Sequence, residues 1–216
     1  MKALASNPVL LPKRLFQAAL LLTYSYLCWL MLEITLQYVP ISTDVAFLRI
    51  KQDYVPLLHY RVAFFSHVFA APLCLLAGFT QFSGILRNRW PQVHRLSGWL
   101  YALSVILVSA PSGIVMGIYA NGGLSSQIAF CLLGFLWLGT TWAAVWSARQ
   151  GDFVAHRDWM IRSFALAMSA ITLRLWKPLL VMLFHPRPMD VYMVVAWLGW
   201  TLNLVVAEII IRKIRQ

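Results

Sequence analysis

Long apolar runs separated by short basic segments make up most of the chain. A membrane-spanning helix needs about 20 mostly apolar residues. Six stretches supply them: 15–37, 57–83, 95–118, 125–147, 158–183 and 190–211. Residues 38–56 form the one sizeable interruption, and their prolines and charges predict an aqueous or interfacial loop. The gaps at 84–94 and 148–157 are short, so the spans they join are predicted to be antiparallel. The pattern therefore predicts an all-α, polytopic integral membrane protein, with residues 1–216 forming a single six-helix transmembrane domain. The first apolar run, after Lys13 and Arg14, outlasts the roughly 7–15-residue core of a signal peptide and is expected to stay as the first span.

Small and polar residues inside these runs recur at helical spacing. Residues 7, 11 or 18 apart share nearly one face, because each turns the helix by about 100°. From His156 that face collects Trp159, Met160, Ser163, Ala167, Ala170 and Arg174, with Lys177 slightly aside. In span 3, His94, Gly98, Tyr101, Val105 and Ser112 align; span 2 gives His67, Cys74, Gly78 and Gln81. Such stripes face other helices rather than lipid. Spans 2–5 are thus expected to form a four-helix core, with spans 1 and 6 packed outside. The segments leading into His94 and His156 also resemble each other, as two copies of one hairpin would.

Composition narrows the class. Of 216 residues 61% are hydrophobic and 12% charged, about half the charged share usual in soluble domains. A net charge of +11 would suit nucleic acid if it formed a groove, but the cations sit in short clusters between apolar runs. No nucleic-acid partner is expected; the lipid bilayer is. Lys2, Lys13, Arg14, Arg87, Arg89, Arg95, Arg149, Arg157, Arg162, Arg212, Lys213 and Arg215 fall on one side, against Arg49, Lys51, Arg61 and Arg187 on the other. By the positive-inside rule both termini are expected in the cytoplasm. Cys28, Cys74 and Cys131 lie apart within apolar runs and form no disulfide framework. Phosphate-binding Gly loops, nucleophile elbows and His-Glu-x-x-His motifs are missing, so no catalytic residue is assigned. Oligomeric state is not written in the sequence.

Candidate chemistry rests on histidine. His94 and His156 each open a span from the same side, so they are expected at similar depth. Two imidazoles on facing helices can ligate one haem iron axially, with neutral rings favoured at a helix N-terminus. Arg95 and Arg157 would then meet the propionates. His-Arg at a helix start also serves as an interfacial anchor, and that reading stands beside the first. His67, deeper in its span, is a further candidate for the cofactor region or for an interhelical hydrogen bond; His59 and His185 are expected at the surface. Arg174 and Lys177, costly in a bilayer, suggest a docking site for an acidic or quinone-type molecule, or a structural pairing with Glu33.

The pieces "SHVFAAPLCLLAGFTQF" (66–82), "HRLSGWLY" (94–101), "SGIVMG" (112–117) and "HRDWMIRSFALAMSAITLRL" (156–175) resemble a family of bacterial membrane proteins catalogued as domain of unknown function 2306. That resemblance implies a bacterial inner-membrane protein without assigning an activity. More loosely, the chain is similar to the ascorbate-reducible transmembrane b-type cytochromes, which pair haem ligands on spans 2 with 4 and 3 with 5. His94 and His156 match the second pairing; span 4 has no histidine to answer His67. The expectation is a redox protein with one haem b, exchanging electrons with a quinone or small reductant. The alternative is a non-enzymatic membrane protein, either a small-solute transporter or a structural partner subunit.

Overall fold

A computed structural model describes residues 10–216, all-helical apart from turns and loops. Lys2 lies outside the described residues. The helices are α1 (Leu10–Leu36), α2 (Leu58–Gln81), α3 (Gly84–Arg89), α4 (Pro91–Leu103), α5 (Ala110–Ile118), α6 (Gly123–Arg149), α7 (Phe153–Ala167), α8 (Ser169–Phe184) and α9 (Pro188–Arg215). A π-helical segment, Ser104–Ser109, joins α4 to α5, so Pro91–Ile118 is one span. Arg14–Leu36 of α1, together with α2, α6 and α9, supplies four more spans of sufficient length and apolarity. α7 and α8 make the sixth only as a pair bent by 42°.

Local chemistry sets the ends. Asp152 Oδ1 accepts from Ala155 N at 2.9 Å and caps α7. Ser83 Oγ does the same for Leu86 N before α3. Pro91 and Pro188 occupy first-turn positions, where a missing N–H costs nothing. Gly122 and Gly123 both take positive φ, which lets the chain reverse between α5 and α6.

α2, the α4–α5 span, α6 and α7 pack as the core, with α6 and α7 in close antiparallel contact. Gly134 receives Ile114 of α5, where a Cβ would stand 2.5 Å from Cγ1. α1 leans on α2, and the Tyr24 hydroxyl donates to the Leu75 carbonyl. α1 otherwise presents Leu15, Phe16, Leu20 and Leu22 outward, as a helix solvated by acyl chains does. α9 docks more fully than an outer helix need, burying Val195, Ala196 and Trp200 against α6, α7 and α8.

Two features depart from the sequence pattern. The stripe from His156 to Arg174 is not one continuous face, because the helix breaks at Met168. α9 stabilises the break: Asn203 Nδ2 donates to the Ala165 carbonyl and to Thr172 Oγ1, both at 3.0 Å, and Thr172 Oγ1 donates to the Gly199 carbonyl at 2.6 Å. The 38–56 segment is also no bare loop. Tyr38, Leu48, Val55, Tyr60 and Phe64 bury one another beside a 3₁₀ turn, Ala46–Lys51. Lys51, 2% exposed, reaches the Tyr119 carbonyl and Asn121 Oδ1 at the end of α5. An ammonium there meets a backbone carbonyl at the negative end of the α5 dipole.

Candidate cofactor site

Midway along the core, Tyr101 of α4 and Ser163 of α7 meet, hydroxyl to hydroxyl, at 2.7 Å. Thr141 Oγ1 lies 2.7 Å from Ser163 Oγ, and Trp137 Nε1 donates to the Tyr101 hydroxyl at 3.2 Å. All four residues are buried, so the network is fully satisfied in a medium of low dielectric, where it fixes register strongly. From this clasp His94 lies seven residues back on α4, and His156 seven back on α7. Seven residues are two turns, about 10.5 Å, and return almost to the same face. The clasp thus puts both histidines at one depth, on facing sides, toward the end of the bundle rich in arginine. There α4 packs mainly on α2, and α7 mainly on α6, rather than closely on each other.

The two rings are held differently. His156 Nδ1 sits 2.9 Å from the Ala144 carbonyl. A carbonyl only accepts, so Nδ1 carries the proton and Nε2 presents its lone pair, the arrangement of a metal-ligating histidine with an outer-shell partner. His94 Nδ1 is buried without a hydrogen-bond partner. His94 is within electrostatic reach of both His156 and Arg87. Its backbone is anchored from α2: Gln81 Nε2 donates to the His94 carbonyl at 3.0 Å and to Ser97 Oγ at 2.7 Å. Gly98 leaves the room, since a Cβ there would lie 3.1 Å from Gln81 Oε1.

The arginines divide. Arg157 is engaged by Asp158, with Nε and Nη2 both 2.9 Å from Oδ1. Asp158, 1% exposed, also takes Arg215 from the last turn of α9, at 2.6 Å from Nη2. Arg162 forms a two-pronged pair with Glu208 at 2.5 and 3.0 Å. Arg95 is exposed and Arg87 stands near His94; among the described residues neither makes an ion pair. Asp158 carries weight that the sequence pattern did not assign it. An acid directly after His-Arg inside a span was the available signal.

The other candidates lie toward the opposite end, where residues 37–57 fold. His67 Nδ1 contacts the Ser109 carbonyl at 2.8 Å. Arg174 and Lys177 are exposed on α8. Among the described residues Glu33 makes no ion pair with either; it accepts from Trp29 Nε1 on its own helix at 2.9 Å. His59 and His185 are exposed, and His59 meets the Tyr119 hydroxyl at 2.6 Å. Among the described residues no three His, Cys, Asp or Glu side chains gather as a metal site. A metal centre here would have to need only two protein ligands.

The family described as Predicted membrane protein (DUF2306) matches residues 64–211, which run from α2 into α9. The chain belongs to this family. The matched region contains the clasp, His94, His156, His67 and the bent α7–α8 pair. No curated protein and no solved structure matches the chain.

Proposed function

We propose that this DUF2306 protein is a membrane-embedded, b-type-cytochrome-like redox protein that holds one haem between His94 and His156. It would exchange electrons with a quinone or small reductant. The observation that carries this reading is the Tyr101–Ser163 contact, which brings the two histidines into register two turns away. His156 supplies an oriented Nε2 and His94 a ring with an unpartnered nitrogen. Two-ligand axial coordination is also the metal chemistry that needs no third side chain. Haem, when bound there, supplies one-electron transfer at a potential set by ligands and burial. Arg87 and Arg95 are the cations free to meet its propionates, because Arg157 is committed to Asp158. The cation bias assigns the arginine-rich end to the cytoplasm of a bacterium, with the bundle in the inner membrane.

The test is optical. Protein purified from haem-sufficient cells should show a Soret band and sharp reduced α and β bands. His94→Ala and His156→Ala should each abolish them, while His185→Ala should not. A colourless preparation without metal by elemental analysis overturns the reading. The alternative, a small-solute transporter or structural partner subunit, is favoured by one observation. Asp158 joins Arg157 to Arg215, so at least one of the two His-Arg pairs serves to lock helices together.

A further inference from the structure

A second site stands in the half of the bundle nearer the 37–57 segment. The 42° bend carries α8 away from the core, so that it packs on α9 and, at the hinge, on α7. The wall it leaves is built from α2 and α5. On that wall His67 Nδ1 faces the Ser109 carbonyl at 2.8 Å, with Ser112 Oγ at 3.4 Å. The carbonyl forces the proton onto Nδ1, which leaves Nε2 as an acceptor. Gly113 supports the ring closely: a Cβ there would stand 3.1 Å from Cε1.

Across from it lies Arg174. Its Nη1 donates to the Ala170 carbonyl, 2.6 Å away and one turn back on its own helix, so the guanidinium does not extend toward the far end of α8. Among the described residues it makes no ion pair. Its charge nonetheless bears on both His67 and Tyr38. His67 lies about 14 Å along α2 from Leu58, and Arg174 about 15 Å along α8 from Phe184, at 1.5 Å per residue. Both therefore lie well inside their helices, away from the ends nearer the 37–57 segment. An unpaired guanidinium that far into a bilayer is costly unless something electron-rich meets it.

We propose that the cleft between His67 and Arg174 binds a lipid-soluble quinone-type molecule. Access favours this class. The 37–57 segment is folded over the end of the bundle around Tyr38, Leu48 and Phe64. α1 packs on α2, and no helix closely bridges α1 to α8, so the cleft opens sideways into lipid. The polar pair favours it too. His67 Nε2 accepts a proton donor, whereas Arg174 donates to an oxygen acceptor. A quinol has both kinds of oxygen on one flat ring. A small soluble anion offers acceptors alone, and the Nε2 lone pair repels it.

The choice of a redox-active ring rests on the proposed redox function; the site itself rests on the His67–Arg174 geometry. The probe is decylubiquinol, titrated under argon against the full-length protein in lipid nanodiscs, with tryptophan fluorescence as the signal. Trp176, two residues from Arg174, serves as a nearby reporter. Saturable binding is expected. Arg174→Gln and His67→Phe should each weaken it about tenfold or more, as loss of a hydrogen bond to a charged or buried partner implies. His185→Gln should leave it unchanged. Gly113→Val keeps both polar groups but presses the His67 ring out of its place against the Ser109 carbonyl, and should also weaken binding; size-exclusion profiles confirm that each variant folds. Absence of saturable binding to the wild type, or equal affinity in all the variants, overturns the proposal. So does displacement of the probe by millimolar ascorbate, which would make the ligand a soluble anion. A colourless protein that binds decylubiquinol retains this site and removes the haem. A coloured protein that fails to bind it does the reverse.

Discussion

At the scale of single residues, charge is placed by partner rather than by depth. Asp158 survives at 1% exposure because two guanidiniums share it; truncating such a partner leaves an unpaired buried charge. Lys51 has no carboxylate partner and rests on two oxygens and the rings of Phe47 and Tyr54, at 5.7 and 5.2 Å. Burial pushes its ammonium below the usual 10.5. Between the lowered value and 10.5 the unfolded segment binds a proton that the folded one resists, so the fold of residues 46–57 gains stability as pH rises through that window. Limited proteolysis of this segment should therefore slow as pH is raised toward 10.5, after correction for protease activity. In Lys51→Met the slowing should vanish.

At the scale of elements, the decisive feature is a helix that does not run straight. The α7–α8 break sends its two halves to different tasks: α7 carries His156 and Ser163, whereas α8 carries Arg174. Asn203 ties the break by satisfying the Ala165 carbonyl and Thr172. Replacing Asn203 with Leu should cost about 1–3 kcal/mol, the penalty of orphaning buried polar groups. A lowered unfolding midpoint in detergent would register it, and a midpoint equal to that of the wild type would rule out this role for Asn203. The π-helical segment acts similarly within span 3. One extra residue per turn shifts the register between Tyr101, which faces α7, and Ser109, which faces His67.

At the scale of the whole molecule, five unbroken spans and one bent pair carry both ends of the described chain toward the same side. By the positive-inside rule, twelve basic residues against four make that side the expected cytoplasmic one. A C-terminal green fluorescent protein fusion should fluoresce, and a C-terminal alkaline phosphatase fusion should stay inactive. The opposite pair of results would invert the orientation and place the His67–Arg174 cleft in the inner leaflet.

The apolar pattern by itself determined that the protein is an all-helical membrane bundle. A run of some 20 apolar residues has no other stable solvent, and within lipid the backbone satisfies itself as helix. The spacing of small and polar residues also marked His94, Tyr101, His156 and Ser163 as inward-facing, since helical periodicity is local. What the pattern left open were the relations between helices. Whether Arg157 meets a cofactor or Asp158, whether Glu33 reaches Arg174, and where span 5 bends depend on groups far apart in the chain: Arg215, Trp29 and Asn203 decide them. The 38–56 segment holds the same lesson. Its prolines and charges read as solvated, yet Lys51 is buried by Tyr119 and Asn121, about seventy residues on. Hydropathy reports each residue's own preference for water, and only tertiary packing supplies the partner that overrides it.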